Sequence, residues 1–228
     1  MDLAGLAESR GWDGLFLWDR ITYPPRGRAV ADSWVALSAI AVVTETLRLG
    51  PMITPLPRRR VQKVARETVT LDHLSNGRLT LGVGLGNADD LESFGEVIDP
   101  RKRARVLDEG LERLDGFWSG GFDPRPVQRP RMPVWVAGNW PNRRPIRRAI
   151  RWDGLFPIDL PGPERLAELA EEISQARAGS EDLFDLVVEV PPGADVRSWE
   201  AAGATWVLTS IEPQPSNIEV RMVIEVGP

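Results

Sequence analysis

Apolar positions along this chain switch repeatedly between helical and extended spacing. Leu3 to Ser9 is spaced for a helix that Gly11 ends, and Gly14-Leu15-Phe16-Leu17-Trp18-Asp19 follows as a short apolar run of the kind found in buried strands. Ser33 to Thr46 then patterns as a helix, and Leu47 to Thr54 as a strand closed by Pro55 and Pro57. Val61, Val64, Ala65, Thr68, Leu71 and Leu74 share one helical face, and Asn76-Gly77 supplies a left-handed cap ahead of a strand from Leu79 to Val83. Leu107, Leu111, Leu114 and Trp118 mark a helix from about Arg101, with a strand at Pro133 to Ala137 after it. Helices near 142–151, 163–178 and 195–202 alternate with strands near 155–158, 185–190 and 206–211. The β-branched residues of Ile218 to Val226 suit a strand, but Ser216 and Glu219 have capping-box spacing, which favours a final helix.

Such alternation is the mark of a parallel sheet with crossover helices. A short repeat refines the class: Gly11-Trp12-Asp13-Gly14-Leu15-Phe16 returns as Arg151-Trp152-Asp153-Gly154-Leu155-Phe156, each at a helix-to-strand junction and each with an Asp three positions after the Phe. Four strand steps separate the copies, which is half the ring of an eight-stranded barrel; chance is the competing source of so short a match. The expected fold is therefore α/β, a (β/α)8 TIM-type barrel formed as one domain over residues 1–228. The count reaches seven strands and the chain opens on a helix, so the barrel is expected to be incomplete, lacking its first strand.

The chain has 228 residues, enough for a sizeable core, and its longest apolar runs, such as Leu37 to Val43, fall far short of the roughly 20 residues that span a bilayer. No membrane segment is expected. The N-terminus lacks the basic and apolar regions of a secretory signal, and there is no cysteine, which excludes disulfides and thiolate nucleophiles; a cytoplasmic location follows as the expectation. A net charge of −5 disfavours nucleic acid as a partner, while the clusters Arg58-Arg59-Arg60, Arg143-Arg144 and Arg147-Arg148 leave room for local anion sites. With His73 the single histidine, placed at a helix end where a structural role is expected, no metal site is anticipated.

The segments Gly11 to Asp19, Arg48-Leu49-Gly50-Pro51-Met52-Ile53-Thr54-Pro55-Leu56-Pro57-Arg58-Arg59, Ala65-Arg66-Glu67-Thr68, Leu71-Asp72-His73-Leu74-Ser75-Asn76-Gly77-Arg78-Leu79, Gly82-Val83-Gly84 and Pro126-Val127-Gln128 resemble, in order and spacing, the luciferase-like monooxygenases. The resemblance runs over nearly the whole chain. It implies an oxidoreductase that uses FMN or the deazaflavin coenzyme F420 on a small organic substrate, and a homodimer. With FMN it implies oxygen activation and monooxygenation, with F420 hydride transfer without oxygen. Two departures stand out: the family's first strand is absent, and Trp118 to Pro124 is shorter than the family's usual insertion. A cofactor-binding or remnant barrel without turnover is the alternative, and a purely structural subunit a third.

Ligands in such barrels sit at the C-terminal ends of the strands, which selects the candidates. Asp19 and Arg20 end the first strand, where the resemblance implies an acid followed by His near the ring; Arg20 is instead a permanent cation and a poor proton carrier. The bland reading of the pair is a solvated turn. Met52, Ile53 and Thr54 fall where many members have a bulge or a non-prolyl cis peptide under the ring, the competing reading being an ordinary strand end. Gly84, Gly86 and Asn87 belong to a glycine-rich strand end that lacks the third glycine of a dinucleotide fingerprint and instead suits close approach of a flat ring. Gly138, Asn139, Asn142 and Arg143 join a strand to a helix start, where N–H groups and guanidiniums suit a phosphate; a solvated basic face is the alternative. Trp18, Trp135 and Trp140 lie at or near strand ends and suit a flavin wall, whereas Trp12, Trp118 and Trp152 suit the core.

Overall fold

The structure, a computed structural model, describes residues 2–23, 29–97, 99–211 and 215–228. They pack as two compact units, Met1–Pro133 with Gly227–Pro228, and Val134–Val226.

The first unit runs α1 (Asp2–Ser9), β1 (Gly14–Leu17), α2 (Ser33–Val43), β2 (Arg48–Pro51), β3 (Thr54–Pro55), a 3-10 turn (Leu56–Arg58), α3 (Val61–Leu74), β4 (Leu81–Gly84), α4 (Ala88–Glu92) and α5 (Pro100–Gly116), which passes into a π turn (Phe117–Gly121). β1 pairs with β2 in parallel, Leu17 opposite Pro51, and β3 pairs with β4, Thr54 opposite Val83 and Pro55 opposite Gly84. β2 and β3 are the two pieces of the single strand that the pattern predicts, separated by a cis peptide bond between Met52 and Ile53.

Polar side chains fasten the helices. Asp32 caps α2 by accepting from the Val35 N–H. Arg78 closes the other end, donating to the carbonyls of Ala41, Thr44, Leu47 and Ser75 and to the Thr44 hydroxyl at 2.6–2.9 Å. Asp72, fully buried on α3, accepts from the N–H groups of Val127 and Gln128 and from the Gln128 amide, which fixes the Pro126 to Gln128 segment beside the helix. His73 lies 2.8 Å from the Arg125 carbonyl, so its place is with this scaffold.

The second unit alternates strictly: β5 (Val134–Asn139), α6 (Arg143–Ala149), β6 (Gly154–Ile158), α7 (Pro163–Ala176), β7 (Asp185–Val190), α8 (Val196–Ala201), β8 (Trp206–Thr209) and α9 (Asn217–Val226). β5, β6, β7 and β8 are parallel neighbours in sequence order. The last segment is helical, and its capping box forms: the Ser216 N–H donates to Glu219 and the Glu219 N–H to the Ser216 hydroxyl. Trp135 is fully buried and donates to Asp185, so it serves the core rather than a strand end. No helix among the described residues is long and apolar enough to cross a membrane.

Both copies of the repeat make the same backbone bond. The Asp13 carbonyl accepts the N–H of Arg48 at 3.0 Å, and the Asp153 carbonyl accepts that of Asp185 at 2.8 Å, in each case the first residue of the next paired strand. The Asp153 side chain also accepts from Val134, the first residue of β5, at 2.7 Å.

Glu8 offers a clean test of this scaffold. Its carboxylate accepts from the N–H groups of Glu45, Thr46 and Leu47 and from the Thr46 hydroxyl, joining α1 to the segment before β2. Slight burial pushes the carboxyl up, but these donors outweigh it and hold the group at about 2 instead of 4.5. A pKa depressed on folding stabilises above the unfolded value and is lost as pH falls through the folded one. The melting temperature of Glu8→Gln should therefore lie below that of the native protein at neutral pH, with the gap closing between about 4.5 and 2. A gap that stays constant over that window would contradict the assignment.

Candidate active site

The end of β1 is organised around one carboxylate. Asp19 is 8% exposed and accepts from the Trp34 indole at 3.1 Å, the Thr54 hydroxyl at 2.8 Å and the Arg59 guanidinium at 2.8 Å. These donors come from the start of α2, from β3 and from the turn after it, so four segments converge on a single anion. Arg59 also lies over the Trp34 ring, 5.5 Å from its centroid. Asp19 thus accepts from three side chains and positions its neighbours. Thr54, itself fully buried, is spent on the same carboxylate.

Arg20 pairs with Asp89 at 2.7 Å, donates to the Thr22 carbonyl and covers the Tyr23 ring at 4.8 Å. Trp18 is 43% exposed and stacks on Tyr23 at 5.5 Å. The Met52 N–H donates to the Leu17 carbonyl, which brings the cis bond beside the end of β1. Met52 is buried and Ile53 half-buried. Across the β3–β4 ladder lie Gly84, buried in the strand, and then Leu85, Gly86 and exposed Asn87. Gly86 has φ +79°, and a Cβ there would come within 2.7 Å of the Pro55 ring, so no other residue fits without a shift. Arg103 of α5 holds this turn by donating to the carbonyls of Leu85 and Gly86. Asp19, Arg20, Met52, Ile53, Thr54, Gly84, Gly86 and Asn87 thus gather at the C-terminal ends of β1, β3 and β4.

Two cations of the run Arg58-Arg59-Arg60 are committed rather than solvated: Arg59 to Asp19, and Arg58 to Asp90 and Glu96. Sequence reasoning identified Asp19 by its position and Arg59 as part of a run suited to anions, but not Trp34, Asp90 or the pairing of Arg59 with Asp19. The available signal was the run of arginines opposite the acidic pair Asp89-Asp90, which periodicity does not connect.

Gly138, Asn139, Asn142 and Arg143 lie in the second unit, where β5 meets α6. A Cβ on Gly138 would fall 2.1 Å from the Pro145 Cβ, so the glycine admits the helix. Asn139 donates to Asp159 at 3.1 Å, Asn142 caps α6 by accepting from Arg144, and Arg143 pairs with Glu172 while covering the Trp140 ring at 5.0 Å. Each of these side chains has a partner within its own unit. At the ends of β6 and β7, burial and the nearby charge of Asp159 push the Glu189 carboxyl up, against a hydrogen bond from Ser210.

The model of the luciferase-like monooxygenase family matches residues 1–205, and the chain belongs to that family. An uncharacterized protein of Mycobacterium tuberculosis (strain ATCC 25618 / H37Rv) is 31% identical over 242 residues, which cover 90% of this chain and 84% of that one. Among solved structures, the coenzyme F420-dependent tetrahydromethanopterin reductase of Methanopyrus kandleri superposes with TM-score 0.79 at 14% identity, covering 99% of this chain and 92% of the reductase. The oxygenating constituent of 3,6-diketocamphane monooxygenase of Pseudomonas putida, in complex with FMN, superposes with TM-score 0.68 at 18% identity, over 83% of this chain and 60% of that one. These likenesses show the fold, the α/β barrel of the luciferase-like proteins with seven strand positions among the described residues.

Removing the Asp19 carboxylate should be costly, because it strands a guanidinium, an indole N–H and a hydroxyl together. Asp19→Ala is expected to lower unfolding free energy in urea by about 2–4 kcal/mol. A loss below about 0.5 kcal/mol would show the carboxylate to be idle.

Proposed function

We propose that the protein is an oxidoreductase that works with FMN or coenzyme F420 on a small organic substrate, the ring of the cofactor lying over the ends of β1, β3 and β4. One observation carries this reading: the Met52–Ile53 step between β2 and β3, the Gly84 to Gly86 turn and half-exposed Trp18 on its Tyr23 backing are assembled at one end of parallel strands. A flat ring fits such a place, since glycine lets it near the backbone and the aromatic pair offers a face to stack on. Met52, Ile53, Gly84, Gly86 and Asn87 would hold the ring, with Trp18 beside it. The family match supports the class, and the solved relatives, one F420-dependent and one holding FMN, support the two cofactors.

The cofactor, when bound, supplies the redox chemistry; the chain supplies place and field. Asp19 holds β3, α2 and Arg59 in register and so keeps the shelf in shape. Arg20, tied to Asp89, contributes positive charge beside the shelf. At the β5–α6 junction, taken by itself, an anion would have to displace Glu172 from Arg143.

The proposal extends to a cytoplasmic homodimer. Exposed Val35, Val42 and Val43 on α2, a helix apolar on every side, are what a second copy would cover. A second reading, binding without turnover, is favoured by Arg20 standing where a proton-exchanging side chain would serve the ring.

Titration of the purified protein with FMN and F420, followed by fluorescence, tests the reading, with turnover then measured beside a flavin reductase or an F420-reducing system. Binding with turnover is the expected result. Binding without turnover selects the second reading, and failure to bind either overturns both. Trp18→Ala should weaken binding about 3–10-fold through loss of stacking.

A further inference from the structure

The segment from α4 to Val97 is held in place by charge more than by apolar packing. Of its side chains only Asp90 and Leu91 are buried, while Phe94 and Val97 are 50% and 58% exposed. Asp90 accepts from the N–H and hydroxyl of Thr22 at 2.8 and 2.9 Å and from Arg58 at 2.6 Å. Arg58 in turn forks onto Glu96 at 2.9 and 3.2 Å. Outside this pair, Arg20 reaches Asp89 at 2.7 Å. The side chains of Arg58 and Asp90 are 6% and 4% exposed, so two charges have been taken out of water between the loop after β1 and the loop after β4.

A buried ion pair is a poor source of stability, because desolvation offsets most of the attraction; its gain is a fixed geometry. Two loops that merely needed joining could have met through apolar side chains. The fork of Arg58, engaged by Asp90 on one side and Glu96 on the other, instead fixes both distance and direction. The loop after β1 carries Trp18, Asp19 and Arg20, and that after β4 carries Gly86 and Asn87. We infer that Asp90 is a positioning residue: through Arg58 and Thr22 it clamps these loops at a set spacing and so sets the width of the cofactor mouth. The clamp stands on contacts within the first unit; its effect on the cofactor rests on the function proposed above.

The groups facing Asp90 are Thr22 and the Ile21 N–H from the loop after β1 and Arg58 from the 3-10 turn, with Arg20, Asp89 and Glu96 at the flanks. Burial pushes the Asp90 carboxyl up, but the Thr22 and Arg58 bonds and the Arg58 charge outweigh it and hold the group below the ordinary carboxylate range.

Hydrogen exchange on the cofactor-free protein tests the clamp directly. In Asp90→Asn and Asp90→Ala, amides of Ile21 to Tyr23 and of Ala88 to Glu96 should exchange about tenfold faster or more, with α3 and α7 unchanged. The dissociation constant for whichever of FMN or F420 the native protein binds, and the KM for that cofactor, should rise about 5–20-fold while kcat at saturation moves less than about twofold. Glu96→Gln, which loosens the more exposed arm and spares Asp90, should shift both readouts in the same direction by less, and keeps the test decisive if the Asp90 variants fold poorly. Unchanged exchange in Glu96→Gln and in any folded Asp90 variant overturns the clamp. Faster exchange with unaltered cofactor affinity overturns its role at the mouth. If the native protein binds neither cofactor, the function proposed above falls, while the exchange result still judges the clamp.

Discussion

A charge buried at the end of a strand must be surrounded by donors, and here that requirement shapes everything near it. Asp19 leaves water at a cost of several kcal/mol unless it is paired. Trp34, Thr54 and Arg59 meet it, and each comes from a different element. α2 must begin, β3 must end and the following turn must bend so that those three donors converge. The positions of Trp18 and the Met52–Ile53 step follow, because both are within two residues of that hub. Satisfying one anion is thus equivalent to specifying the shelf that a ring would use.

A second electrostatic layer lies farther out and works differently. Around Asp19 the donors outnumber the anion, whereas along the loops Arg20 and Arg58 face Asp89, Asp90 and Glu96. Arg58 and Arg59 are consequently neutralised from within the first unit and offer little to an approaching anion. The same economy governs the β5–α6 junction, where Gly138 makes room for Pro145 and Arg143 is occupied by Glu172.

How much could be read beforehand varies with the range of the interaction. α3 was legible as Val61 to Leu74 because a fourteen-residue amphipathic face repeats its signal several times. The final helix was decided by two capping residues three apart, a bond that the chain makes with itself. α4 was not seen, since five residues are too few to display a period. Asp19 was found from its place at a strand end, but Arg59 lies 40 residues away and Asp90 lies 68 from Thr22. Nothing local marks those pairings, and an arginine in a run of three looks alike whether it is solvated or bound. Trp135 was expected near a rim because the strand was drawn as ending at Ala137; β5 continues to Asn139 and leaves that indole deep in the core.

The recurring Trp-Asp-Gly-Leu-Phe segment has an implication for how such a chain can be rebuilt. At both places the Asp carbonyl receives the leading N–H of the next paired strand, so the join between helix and sheet is completed by a backbone group. The backbone half of that connector is independent of the side chains on the strands it links, whereas at the second joint the Asp153 carboxylate also takes the leading N–H of β5 and Gly154 leaves room for the Trp135 ring. A graft at the first joint would therefore carry its linkage in the backbone, and one at the second would have to bring Asp153, Gly154 and Trp135 together.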